Sequence, residues 1–200
     1  MNPFWANSGI SMTDKITARN KVKQYRNNMS SGDNCRYSRL IADTIINMPQ
    51  FKECNNLYIY KAFRNEPDTD IIISQAIKLN KTVAIPKVTG MDMNFHIISG
   101  KNSLQSLTEG YMGITEPDST LPVLKENSGV IIVPGVAFDR KCNRSGYGKG
   151  FYDRFLAKYP DLIKIGIAFE FQIFDEIETN AFDIPMDYII TEQQIIRKEV

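Results

Sequence analysis

Apolar residues along the 200-residue chain follow two rhythms, one near 3.6 and one near 2. Tyr37, Leu40, Ile41, Thr44, Ile45 and Met48 recur at intervals of three and four, which predicts an amphipathic helix stopped by Pro49. Residues 14–28 carry Lys, Arg and Asn with thin apolar spacing and predict a solvated helix with one basic face and a modest share of the core. Strands are predicted at 57–63 (LYIYKAF), 82–86 and 93–98, with a helix over 70–79 behind the capping residues Asp68 and Thr69. Residues 110–122, punctuated by Gly and Pro, read mostly as loop. Val130, Ile131, Ile132 and Val133 form an unbroken β-branched run, as expected of a strand buried on both faces of a parallel sheet, and Pro134-Gly135 ends it. A helix at 150–159, a strand at 164–169 (KIGIAF) and a last strand at 188–191 complete the alternation. The expected fold is a single-domain α/β architecture, an open, mostly parallel, Rossmann-like sheet with helices on both faces.

Composition narrows the function classes. A polar N-terminal tail is expected at 1–12 and the domain at 13–200, with 42% hydrophobic residues enough for a real core. Lys and Arg (24) nearly cancel Asp and Glu (23), so there is no global footprint for nucleic acid or an anionic membrane, and any anion site must be local. No apolar run approaches the roughly 20 residues of a membrane helix, and no basic leader precedes an apolar segment. Cys35, Cys54 and Cys142 are far apart and form no CxxC pair, which argues against a disulfide framework or a zinc site and for a reducing, cytoplasmic compartment. His96 is the only histidine and falls in a predicted strand, so it reads as structural or surface, and histidine-rich metal chemistry is excluded. The expected ligands are small molecules, and the expected state is a monomer.

The stretch Arg144-Ser145-Gly146-Tyr147-Gly148-Lys149-Gly150-Phe151-Tyr152-Asp153 sets glycines at every second position among two cations. It falls between the buried strand and the next helix, where ligands collect beyond the C-terminal ends of strands in such sheets. Glycines let an anion approach backbone N–H groups at a helix start; Arg144 adds a forked donor pair and Lys149 a point charge. Asp153 in the first helical turn could hold magnesium, which commonly takes one or two carboxylates plus phosphate and water. The spacing is neither a Walker loop nor the dinucleotide fingerprint. The plain alternative is a glycine-rich turn with Tyr147, Phe151 and Tyr152 packed as core and Asp153 answering the helix dipole, and for Phe151 that alternative is preferred.

Pro134-Gly135-Val136-Ala137-Phe138-Asp139 followed by Arg144 to Leu156 closely resembles the signature of the 5-formyltetrahydrofolate cyclo-ligases, also called methenyltetrahydrofolate synthetases. The resemblance extends from Lys15 and Arg19 through Glu66, Thr69 and 113–117 to Thr191-Glu192. It implies conversion of 5-formyltetrahydrofolate to 5,10-methenyltetrahydrofolate with ATP and magnesium, through a phosphorylated formyl oxygen. It further implies ATP contacts from Lys15, Arg19, Arg144, Gly146, Tyr147, Gly148, Lys149, Gly150 and Asp153, with Asp153 on the metal. Arg144, Lys149 and Tyr152 would serve catalysis, and Glu66, Phe63, Tyr111 and Tyr152 the folate.

Three positions depart from the family pattern: Cys142 stands at a common glycine, Ser145 at a common aliphatic, and Phe182 at a frequent histidine. If the glycine position demands positive φ, Cys142 is strained. Two rival functions remain at this level, a sugar-phosphate isomerase or acyl-transfer enzyme on a related sheet, and a nucleotide-sensing module without turnover.

Overall fold

In the computed structural model, residues 12–98, 107–109 and 115–199 are described. The expected tail at 1–12 therefore lies, up to residue 11, outside the described residues.

Helix α1 (Lys15–Asn28) starts behind Asp14, whose carboxylate accepts from the N–H groups of Ile16 and Thr17 at 3.0 and 2.9 Å. It is less solvated at one point than its composition predicts, because Arg26 is buried in line with Ala18 and Val22. In α2 (Ser31–Asn47) the buried stripe is Ser38, Ile41, Ala42 and Ile45, leaving Leu40 on the flank at 46% exposure. Pro49 begins a new short helix, α3 (Pro49–Glu53), at the first position, where a missing N–H removes no helical bond. Strand β1 (Asn56–Tyr58) is shorter than the apolar run 57–63. Ile59 still donates to the Ala84 carbonyl at 2.9 Å, and the chain then turns away through Arg64 and Asn65, both at positive φ. Helix α4 (Asp70–Lys78) is capped by the Asp68 carboxylate on the Asp70 N–H at 2.9 Å, while the Thr69 hydroxyl instead donates to the Tyr60 carbonyl at 2.7 Å.

Strand β2 (Thr82–Thr89) returns antiparallel as β3 (Asp92–Ile97). His96 is buried there with Nδ1 2.8 Å from the Leu121 carbonyl, a structural role. Short strands β4 (Thr108–Glu109) and β5 (Thr115–Glu116) pair within and beside the region read as loop. After β6 (Val130–Val133), the chain forms β7 (Ala137–Asp139) and β8 (Arg144–Ser145), so Arg144 and Ser145 lie on a strand rather than in the loop. Helix α5 (Phe151–Lys158), β9 (Ile163–Ile167), β10 (Ile173–Phe174), β11 (Tyr188–Ile190) and β12 (Ile195–Arg197) follow. The strands β7, β8 and β12 are too short for a periodic signal, and none was expected.

The main sheet has the order β12-β11-β9-β6-β1-β2-β3. Its five inner strands are parallel and both edge pairs antiparallel. As expected, β6 is buried on both faces: Val130 and Ile132 join the core with α2, α3 and α4, and Ile131 and Val133 the core with α5. From β1 the chain proceeds outward through β2 and β3, and from β6 it proceeds the other way. The boundary between β1 and β6 is therefore the topological switch point, and a crevice is expected beyond their C-terminal ends. The loop after β1 carries Phe63 and Glu66, and the segment after β6 leads into the glycine loop. The small second sheet, β10-β7-β8, holds that loop in place.

Candidate active site

Asp139 organises the approach to the site. Fully buried, its carboxylate accepts from the N–H groups of Lys141 and Asn143, the Asn143 amide and the Ile177 N–H, at 2.9 to 3.1 Å. Four donors on one carboxylate lock the turn between β7 and β8 and so deliver Arg144. Within that turn Cys142 has φ +64°, a left-handed conformation that a side chain disfavours. Burial pushes its thiol up to about 11, so it is an inert packed residue.

Arg144 is buried. One Nη donates to Asp153 Oδ1 at 2.9 Å, the other to the Pro134 carbonyl at 3.3 Å, and the guanidinium lies 5.6 Å from the centre of the Tyr152 ring. The Nε of Arg144 and the Oγ of Ser145 are buried with no hydrogen-bond partner among the described residues. Tyr152 sits edge-on to Phe95, and burial raises its hydroxyl well above the usual range. A Cβ on Gly146 would come 2.7 Å from an Nη of Arg144, so this glycine makes room for the guanidinium. Gly150 caps α5 at φ +64°, and the Ile184 N–H also reaches Asp153 Oδ1 at 3.3 Å. Arg154 ties the Lys149 carbonyl to that of Met91 at 2.9 and 3.0 Å, while the Lys149 side chain is exposed.

From the other side, Arg19 Nε donates to the Gly146 carbonyl at 2.8 Å, and its guanidinium nitrogens lie against Gly148. Lys15 is paired with Asp183 at 2.5 Å, next in the chain to the residue that bonds Asp153. Phe63 and Glu66 line a cleft of about 370 Å³ between the start of α2 and the loop after β1. Glu66 is buried; its Oε1 accepts from the Tyr147 hydroxyl at 2.7 Å and its Oε2 from the Phe63 N–H at 3.1 Å. Burial raises its carboxyl above the ordinary value, and Arg26, Tyr147 and Phe63 pull it back.

Arg26 is a neighbour of Glu66 and Tyr147 that the sequence pattern did not single out. It donates to the Gly135 carbonyl at 2.8 Å and to the Tyr147 hydroxyl at 3.2 Å, and stands 3.8 Å from Glu66. A signal existed: Lys15, Ala18, Arg19, Val22 and Arg26 form one stripe of α1, and two of them are apolar. The structure thus links Arg19 and Glu66 to the glycine loop through Gly146 and Tyr147, and sets Arg144 against Asp153 and Tyr152. Lys15 engages Asp183, and Tyr111 lies outside the described residues.

A model of the 5-formyltetrahydrofolate cyclo-ligase family matches residues 11–192. The chain belongs to this family. The probable 5-formyltetrahydrofolate cyclo-ligase of Schizosaccharomyces pombe is 33% identical over 174 residues, 78% of this chain and 84% of the relative. The 5-formyltetrahydrofolate cyclo-ligase of Haemophilus influenzae is 26% identical over 172 residues, 84% of this chain and 92% of its own. The NMR structure of Aquifex aeolicus 5,10-methenyltetrahydrofolate synthetase aligns over 93% of each chain with a TM-score of 0.82 and 31% identity. The Mycoplasma pneumoniae 5,10-methenyltetrahydrofolate synthetase, 22% identical with a TM-score of 0.70 over 89% of this chain and 98% of that one, shares the fold. The cyclo-ligase family acts on 5-formyltetrahydrofolate with ATP, and membership sets aside the isomerase and sensor readings. As a cyclo-ligase the chain departs from the family pattern in ways now visible: Cys142 adopts the positive φ, Ser145 is buried, and Phe182 is 85% exposed.

Proposed function

We propose that the glycine loop and the Glu66 cleft together carry out the ATP-dependent closure of 5-formyltetrahydrofolate to 5,10-methenyltetrahydrofolate, with the triphosphate on the loop and the pterin in the cleft. The observation that carries this reading is the 2.7 Å bond between Tyr147 of the loop and Glu66 of the cleft, which sets the two candidate substrate sites side by side. The cleft's volume lies within the ordinary range for small-molecule sites.

The chemistry explains the division of labour. The formyl oxygen is a poor leaving group. Accepting the γ-phosphoryl group makes it a phosphate ester of an imidate, ADP departs, N10 attacks the formyl carbon, and phosphate leaves with the N10 proton lost to solvent. This route needs no side-chain nucleophile, only positioning and charge neutralisation. Arg19, Arg144 and Lys149 would neutralise the phosphates, with the Arg144 fork already oriented by Asp153 and Tyr152. Glu66 accepts N–H donors of the pterin, beside Phe63, and Tyr152 borders the reacting formyl group. Lys15 joins the phosphate contacts from its place beside Asp183.

Among the described residues no three potential ligands gather around a metal. Asp153, whose Oδ1 is engaged by Arg144 and Ile184, offers a single carboxylate, which fits a magnesium ion held mainly by phosphate oxygens and water. There the ion would neutralise charge on the phosphates. The exposed free thiol of Cys35 suits a cytoplasmic setting. Among the described residues no helix is long and apolar enough to cross a membrane.

The test is a mixture of protein, 5-formyltetrahydrofolate, ATP and magnesium. Methenyltetrahydrofolate absorbance and one ADP per product are expected, and 18O placed in the formyl oxygen should emerge in the released phosphate. Label retained in water instead of phosphate would overturn the phosphorylated intermediate, and nucleotide binding without product would overturn the activity.

A further inference from the structure

Tyr147 is 63% exposed, yet its hydroxyl is engaged twice, donating to Glu66 Oε1 at 2.7 Å and accepting from Arg26 at 3.2 Å. An exposed residue whose hydroxyl bonds two buried charged groups, Arg26 and Glu66, is not explained by packing. Its backbone stands between Gly146, whose carbonyl is held by Arg19, and Gly148 at φ +92°, at the centre of the loop read here as the triphosphate cradle. Tyr147 therefore belongs to the nucleotide loop by its backbone and to the folate cleft by its side chain.

We propose that Tyr147 is a positioning residue that couples the two substrate sites, so that occupancy of the Glu66 cleft sets the position of the glycine loop and nucleotide on the loop sets Glu66. The proposal rests on the reading of Glu66 as a folate contact. Both Glu66 oxygens already accept one hydrogen bond each, from Tyr147 and from the Phe63 N–H. A ligand presenting N–H donors would take the remaining lone pairs of these oxygens and crowd the donors already there, of which the Phe63 N–H is fixed in the backbone. Tyr147 is the movable one, hinged between two glycines, and any shift of its hydroxyl draws the loop with it. Arg26 supports this pivot from the opposite side, bonded to the Gly135 carbonyl and the Tyr147 hydroxyl and 3.8 Å from Glu66. The chemistry gives such coupling a purpose, because a triphosphate held ready without a formyl oxygen beside it is exposed to attack by water.

The test uses the full chain and compares wild type with Tyr147→Phe, which keeps the exposed ring and removes only the hydroxyl. Affinity for ADP is measured by calorimetry alone and with saturating 5-formyltetrahydrofolate, and KM and kcat are measured for both substrates. In the wild type the folate is expected to change ADP affinity by roughly five-fold or more, with the reciprocal effect of ADP on folate. In Tyr147→Phe that factor should fall to about one, with KM for both substrates moving more than kcat. Equal coupling in the two proteins, or no coupling in the wild type, overturns the proposal. Glu66→Gln separates the two readings. If it leaves the folate KM at the wild-type value, the assignment of the cleft fails. If it raises that KM while Tyr147→Phe keeps full coupling, only the present inference fails.

Discussion

Arg144 and Asp153, nine residues apart, meet in a 2.9 Å ion pair that joins the start of β8 to the first turn of α5 across the glycine loop. The arginine side chain is 5% exposed and the aspartate 19%, so the pair is sheltered enough to hold the guanidinium in one orientation. Positioning is the property phosphoryl transfer demands. Arg144→Ala removes charge-assisted contacts of about 1.5–3 kcal/mol, which corresponds to a loss of roughly ten- to hundred-fold in kcat/KM for ATP. Folate affinity, measured by titration without nucleotide, should change far less, and equal loss of both would contradict the assignment.

Asp153→Asn keeps the shape and removes the charge that aligns Arg144. A drop of about 1–3 kcal/mol in unfolding free energy is expected from urea denaturation, as a buried guanidinium is left without its counter-charge. The magnesium concentration needed for half-maximal rate should rise as well. A stability loss with unchanged magnesium dependence would confine Asp153 to the ion pair.

Gly146→Ala places a methyl group where an Nη of Arg144 now lies at 2.7 Å. The fold has no other reason to resist this change, so the far-ultraviolet circular dichroism should match the wild type. The guanidinium must move, and kcat/KM for ATP should fall about ten-fold, the equivalent of about 1.4 kcal/mol. Wild-type kinetics would show that Arg144 does not act from this position.

Cys142 at φ +64° allows a test by ordering two variants. Cys142→Ala loses the buried sulfur and keeps the strain; Cys142→Gly loses slightly more side chain but relieves a left-handed conformation that costs about 1–2 kcal/mol. The glycine variant should therefore be the more stable of the two by about 0.5 kcal/mol, after the roughly 0.5–1 kcal/mol entropy of glycine in the unfolded chain is deducted. The reverse order in chemical denaturation would place the turn in another conformation.

Burial lifts the Glu66 carboxyl above its ordinary range, against the pull of Arg26 first and then of Tyr147 and Phe63. A folate contact that uses the carboxylate is lost as pH falls through that raised value, so the acidic limb of kcat/KM for folate should begin at a higher pH than an exposed glutamate would set. Arg26→Met removes the strongest opposing influence and should move the limb to still higher pH. A limb in the ordinary carboxylate range, indifferent to Arg26, would exclude Glu66 as its origin.

The pattern of hydrophobic residues alone determined the class of fold. The β-branched run Val130 to Val133 needs apolar neighbours on both faces, and only a central parallel strand supplies them, which is where it lies. The glycine loop was equally legible, since its spacing, its cations and its place between a strand and a helix are all local facts. What the chain order could not express was partnership. Asp153 reads as a metal ligand or a helix-dipole charge in sequence, but the hairpin of β7 and β8 brings Arg144 onto it. Arg26 reads as one more cation on a basic helix, but the packing of α1 buries it between Gly135, Tyr147 and Glu66, which are 109, 121 and 40 residues away along the chain. The desolvation that shifts Glu66 and orients Tyr147 exists only once these distant segments close over one another. Periodicity reports which residues avoid water, while charge pairing is decided by which of them meet.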